Sequence, residues 1–280
     1  MNDENEVNEI NEVKEVSEID EVNEINEVNK INEIKEINEV ETTDGTEVVA
    51  SSNAFSKVIN IIFAPSKALY GIKKKPNIFL PIVIIVLIPF LYLLLWSRFE
   101  AEMILALENQ MEIQGQELTS GIMNIAIITM KAAFVGSGII VVLTSVLSGA
   151  YYFVCGKIAK SEVTYKQIMS LVYHIAVISS LPVLLNGLLS LLGMEVSLTL
   201  PITSLASLLP SSMEGTFIYG AAMIIEVFHI WAMVVMYMGL RIVANMSSKA
   251  SMISVILLLL FGMLYTGGSL VLQDVLSNVG

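Results

Sequence analysis

The chain holds one cysteine, Cys155, in 280 residues. A lone thiol excludes an internal disulfide and any multi-cysteine metal site. Histidine is almost as scarce, with only His174 and His229. Charge is thin as well: 15% of the residues are Asp, Glu, Lys or Arg, against 55% hydrophobic. Together with a mean hydropathy of +0.72, this excludes a soluble domain of ordinary composition and points to a membrane class. Signatures of familiar chemistry are missing too. The sequence has no phosphate-cradling G-x-x-x-x-G-K-[ST], no G-x-S-x-G and no H-E-x-x-H zinc pair. No enzyme activity, catalytic residue, metal, cofactor or nucleic-acid partner is expected.

The net charge of −12 hides two bodies. Residues 1–50 carry 17 acids and 3 lysines, a net of −14, and residues 51–280 carry 12 basic and 10 acidic residues, a net of +2. From Asn5 to Val40 a triplet of the Asn-Glu-Val or Asn-Glu-Ile type repeats twelve times. Period 3 fits neither a fixed helical stripe nor a one-sided strand. Residues 1–53 therefore read as a low-complexity acidic tail that needs no packed core. This start is acidic where a signal peptide is basic, so the spans themselves are expected to direct insertion.

What the rest contains is long apolar runs. Five stretches, near Asn77–Ser97, Ile122–Cys155, Ile168–Leu192, Phe217–Leu240 and Met252–Leu272, can each supply a membrane span. Crossing about 30 Å of hydrocarbon takes roughly 20 residues at about 1.5 Å each. In the second stretch Lys131 interrupts, so the span is expected from Ala132 onward. A spanning segment must satisfy its own backbone, which makes these helices. The expected fold is all-α: a polytopic bundle of five transmembrane helices over residues 77–280.

Lys and Arg set the orientation. Lys57, Lys67, Lys73, Lys74 and Lys75 precede the first span, Lys157, Lys160 and Lys166 follow the second, and Arg241 and Lys249 follow the fourth. The opposite loops hold only Arg98 and Lys131, and no basic residue follows the last span. The N-terminus is thus expected in the cytoplasm and the C-terminus outside, in the cytoplasmic membrane of a prokaryote. Within residues 54–76, Phe55, Val58, Ile59, Ile62, Leu69 and Ile72 recur at helical spacing between lysines. That suits an amphipathic segment lying in the headgroup layer against anionic lipid. On this reading Lys73–Lys75, Arg241 and Lys249 face lipid or a partner. Outside, Arg98–Gly121 suits a short amphipathic helix, and Gly193–Gly215, nearly uncharged with Pro201 and Pro210, a re-entrant or interfacial piece.

The titratable groups within hydrocarbon are few. Glu226 and His229, three apart, are expected on one helix face near the bilayer midplane, with His174 in the third span. His229 lies twelve residues from Arg241, about 18 Å, and His174 only about 9 Å into its own span, so the histidines fall in different layers. A single Glu-x-x-His is half of a di-metal carboxylate site, and no second copy exists. Either a self-satisfied buried pair or a polar site between helices fits. Pro89 and Pro182 should kink the first and third spans. Gly136, Ser137, Gly138 and other small residues of the second span, with Gly262, Gly267 and Gly268 of the fifth, let helices approach closely or build a homo-oligomer face.

Three stretches carry a resemblance. They are Phe63-x-Pro65 with Ala68-Leu69-Tyr70 and Lys75-Pro76; Tyr173-His174 through Leu181-Pro182 to Leu189; and Ile230-Trp231 through Gly239-Leu240-Arg241 to Ser247-Ser248-Lys249-Ala250. With them the chain resembles the YIP (Ypt-interacting protein) family of integral membrane proteins over about residues 54–272. Five spans with a cytoplasmic N-terminus fit that family, and no catalytic residues come with it. The absent catalytic signatures and the basic cytoplasmic loops lead to the main expectation, a non-enzymatic membrane protein that scaffolds or modulates partners from the cytoplasmic face. Eukaryotic members act in vesicle traffic, bind Rab-type GTPases and carry an Asp-Leu-Tyr-Gly-Pro motif. Here the matching stretch is Ala68-Leu69-Tyr70-Gly71-Ile72, which lacks the Asp and the Pro, so GTPase binding does not carry over. Prokaryotic members mostly have no assigned activity. One type is similar to an accessory subunit of an ABC exporter, which makes a transporter or permease subunit the alternative.

Overall fold

The structure, a computed structural model, describes residues 53–95, 104, 120–194 and 200–279. The acidic tail and nearly all of Arg98–Gly121 lie outside the described residues. The described chain is helical, in the order α1 (Ala54–Phe63), α2 (Pro65–Lys74), α3 (Phe79–Leu95), α4 (Ser120–Ile158), α5 (Tyr165–Ser179), α6 (Leu181–Leu191), α7 (Phe217–Ile224), α8 (Val227–Ile242) and α9 (Ser248–Val279). Two short 3-10 turns, Leu205–Leu208 and Ser211–Met213, precede α7. By length and apolarity Gly121–Ile158, Tyr165–Leu191 and Ser248–Leu276 can cross a membrane, while Phe79–Leu94 and Val227–Ile242 are shorter apolar helices.

Local chemistry sets most of these boundaries. The Asn53 side chain caps α1 by accepting from Ser56 N at 2.7 Å. Pro65 removes the helical conformation from Ala64 (φ −142°, ψ 63°) and starts α2, so the amphipathic segment becomes a helical hairpin. Lys75-Pro76 ends α2 by the same rule. Thr164 and Gln167 cap α5 reciprocally, the capping box of a Thr-x-x-Gln sequence. Pro182 sits in the first turn of α6, where its missing N–H breaks the third apolar stretch at Ser180.

Pro89 lies within α3 without ending it. Its ring cannot donate to the Ile85 carbonyl one turn back. At that point Gly138 of α4 lies against α3: a Cβ there would come within 3.1 Å of Ile85 O and 3.3 Å of the Pro89 ring. A smooth glycine surface therefore meets the freed carbonyl.

Lys131 does not interrupt α4, which runs 39 residues from Ser120. Lysine is a good helix former, and nothing nearby breaks the backbone. In α5 every residue from Ile168 to Ile178 is buried. A helix apolar all round belongs in the middle, and α5 packs against α1, α2, α3, α4 and α8. The main core gathers Ile61, Leu69, Ile72, Leu171, Val235 and Leu240 from α1, α2, α5 and α8. The α1–α2 hairpin thus spends the face made by Val58, Ile61, Leu69 and Ile72 on the bundle rather than on lipid.

Candidate functional site

Two regions collect the polar groups. The first is the lysine-rich end. Lys73 Nζ donates to Asn245 Oδ1 in the α8–α9 turn at 2.8 Å. Gln167 Nε2 of α5 donates to the Lys73 carbonyl at 2.9 Å. Asn77 and Ser170 exchange two bonds, Asn77 N to Ser170 Oγ at 3.1 Å and Ser170 Oγ to Asn77 O at 2.9 Å. Ser161, after α4, donates to the Ala244 carbonyl. Three parts of the chain far apart in sequence, residues 73–77, 161–170 and 244–245, are thereby fixed at one end of the bundle. Lys74, Lys75, Arg241 and Lys249 are exposed there, whereas Lys73 is half-buried.

Lys57 departs from the sequence expectation that it faces headgroups. It is 3% exposed and its ammonium donates to the Lys75 carbonyl at 2.6 Å. A lysine on a terminal carbonyl is a favourable helix C-cap. Burial, and then the Lys75 charge, push its pKa down.

The second region is the fourth apolar stretch, which is broken. Glu226 and His229 do not share one helix face as expected, because Glu226 is extended (φ −129°, ψ 142°) and forms the N-cap of α8. Its Oε1 accepts from Phe228 N at 3.0 Å and its Oε2 from His229 N at 2.8 Å. Thr203 Oγ1 donates to Oε1 at 2.5 Å. The freed backbone is matched by residues 203–205: Leu205 N donates to Ile225 O at 2.8 Å, and Val227 N to Thr203 O at 3.4 Å. Glu226 is 5% exposed. It meets His229 through the backbone N–H, not the ring. Gly193–Gly215, as far as it is described, supplies the segment that pairs with this break.

His174 stands apart from both. It is fully buried, with Nδ1 on the Ser170 carbonyl of its own helix at 2.6 Å, and among the described residues its Nε2 has no hydrogen-bond partner. No hydrogen bond joins it to Glu226 or His229. Among the described residues no group of three His, Cys, Asp or Glu side chains is placed to hold a metal ion.

Sequence reasoning found the lysines but missed their fasteners, Asn245 and Gln167. Thr164-x-x-Gln167 was a readable signal for the latter. Thr203 was also missed, though a long uncharged connection with two prolines marks a segment with something to cover.

The Yip1 domain family model matches residues 59–268, and the chain belongs to that family of membrane proteins. Among curated proteins it is similar to the membrane protein YknW of Bacillus subtilis (strain 168), 27% identical over 213 residues, covering 74% of this chain and 86% of the relative. No solved structure matches.

Proposed function

We propose that this is a non-enzymatic, five-span protein of a prokaryotic cytoplasmic membrane, with its N-terminus inside and its C-terminus outside, which scaffolds or modulates a membrane partner from the cytoplasmic face. One observation carries the reading: the Lys73–Asn245 bond joins the end of α2 to the α8–α9 turn, so that exposed Lys74, Lys75, Arg241 and Lys249 share one surface. A fixed set of cations selects partners by charge complementarity and speeds their encounter. The alternation of basic loops supports the orientation, and the bacterial relative fits the location. The experiment is a mild-detergent pull-down at native expression, repeated with Lys74→Glu, Lys75→Glu and Lys249→Glu combined. A stoichiometric partner lost in the triple variant is the expected result. Equal recovery by both proteins overturns the role of this surface.

A second reading, a transporter or ABC-exporter accessory subunit, draws on the break before α8. Broken membrane helices line substrate sites in many transporters, and Glu226 sits at such a break. Flux or peptide resistance should then fall in Glu226→Gln and His229→Ala, and unchanged transport in both removes this site from the mechanism.

A further inference from the structure

The α1–α2 hairpin carries two apolar faces, and only one of them is used. Val58 and Ile61 of α1, with Ala68, Leu69 and Ile72 of α2, are buried against the bundle. On the other side Phe55, Ile59 and Phe63, one helical turn apart, are 60%, 43% and 81% exposed. On α2 the exposed stripe is Lys67, Tyr70 and Lys74.

Two hydrogen bonds fix the depth of this hairpin. At one end Lys73 meets Asn245, beyond the end of α8. At the other, Trp231 Nε1 of α8 donates to the Ile62 carbonyl at 3.1 Å. Trp231 lies ten residues before Arg241, so the two bonds are about 15 Å apart along α8. Hence α2 runs alongside α8 from the Trp231 level down to the lysine end, and α1 runs antiparallel to it, with Lys57 beside Lys75. At the same end α9 starts at Ser248, and Met252, Ile253, Ile256 and Leu257 are already exposed apolar residues. The hydrocarbon therefore begins within a turn or so of Lys249. The Phe63–Pro65 tip lies about halfway across a core of about 30 Å.

We propose that α1 and α2 form a re-entrant helical wedge in the leaflet at the lysine end, and that its partner is the anionic phospholipid of that leaflet. Phe55, Ile59 and Phe63 contact acyl chains, while Lys74 and Lys75 lie at the headgroups. Lys67, seven residues before Lys74, reaches toward the same layer by extending its stem. Charge complementarity names the occupant: of the five lysines in residues 53–95, Lys67, Lys74 and Lys75 are exposed, no acid lies among them, and polybasic segments beside a membrane bind anionic lipid. Inside each helix the backbone bonds to itself, and at the tip the Asn60, Ile62 and Ala64 carbonyls accept from Ala64 N, Trp231 Nε1 and Ala68 N, the kind of pairing that hydrocarbon requires. That this leaflet is the cytoplasmic one rests on the orientation proposed above.

The test uses the full chain with Cys155→Ser, carrying a nitroxide at Phe63→Cys, Ile59→Cys or Asn53→Cys. The protein is placed in nanodiscs of phosphatidylcholine alone or mixed with phosphatidylglycerol. Collision with oxygen reports lipid, and collision with a nickel chelate reports water. The oxygen-to-nickel ratio should be several-fold higher at 63 and 59 than at 53. It should rise with phosphatidylglycerol, and Lys74→Glu with Lys75→Glu should remove that rise. Ratios at 63 and 59 equal to that at 53 overturn the wedge, as does shielding from both reagents, which would mean a protein covers the stripe. A ratio blind to phosphatidylglycerol overturns the headgroup assignment. A membrane-impermeant maleimide on Lys249→Cys reads sidedness separately: labelling from outside moves the wedge to the other leaflet and overturns the cytoplasmic orientation alone.

Discussion

α4 and α9 run unbroken for 39 and 32 residues, whereas the third and fourth apolar stretches are each interrupted, at Ser180 and at Ile225–Glu226. Burial divides unevenly: 67% of the apolar window of Tyr165–Leu191 is buried, against 11% in each long helix. In hydrocarbon an unpaired N–H or carbonyl finds no water, so irregular backbone survives only where protein supplies partners. The Glu226 break, bonded to Thr203 and Leu205, meets that condition. The continuous helices need no such help and keep their sides for lipid or for close helix contacts.

This contrast breaks most sharply at Glu226. Glu226→Ala orphans Phe228 N, His229 N and the Thr203 hydroxyl, and should cost about 3 kcal/mol, read as a lowered Tm in detergent. Glu226→Gln, which keeps one acceptor oxygen, should lose less than half as much. A stable Glu226→Ala protein would mean that the break does not depend on its cap. The long helices should respond to shape instead of polarity. A Cβ at Gly220 of α7 would lie 2.7 Å from the Gly267 Cα of α9, with backbone on both sides. Gly220→Ala should therefore cost about 2 kcal/mol, while Gly262→Ala, with nothing within 4 Å, should be neutral or slightly stabilising by the same melting measurement. Smaller still, Thr164→Ala removes the α5 capping box at a cost of about 1 kcal/mol. Last, Lys73→Ala should cost about half a kcal/mol, visible as faster hydrogen exchange in the α8–α9 turn with little change in Tm.

Much of this was legible from residue order, but unevenly. Pro182, expected to kink the third span, instead breaks it at Ser180, because a missing N–H acts locally. The Glu226 break had no such mark. Gly220-Ala-Ala-Met-Ile-Ile-Glu-Val-Phe-His229 reads as one helix, and what opens it is a partner strand of chain more than twenty residues upstream. Tertiary partners of that kind leave no trace in local periodicity. Lys57 misled for a related reason. Sequence reasoning sends lysines outward, and nothing nearby announces that the Lys75 carbonyl waits eighteen residues on. The two faces of α1 were likewise merged into one, since Val58 and Ile59 are adjacent in sequence but part company once one side meets α5.

The 39 residues of α4 make a rod of about 58 Å, nearly twice the thickness of the oil it pierces. Tilting it by about 40°, the upper end of what membrane helices adopt, still leaves about 14 Å to spare. Lys131 and Lys157 are 26 residues apart, about 39 Å, so one charge can rest at each water boundary. Beyond Lys131 the turns back to Ser120 stay in contact with the end of α3, where Ile127 is buried with Tyr92 and Met123 and Met130 pack beside them, so the surplus length of the rod is braced by its neighbour.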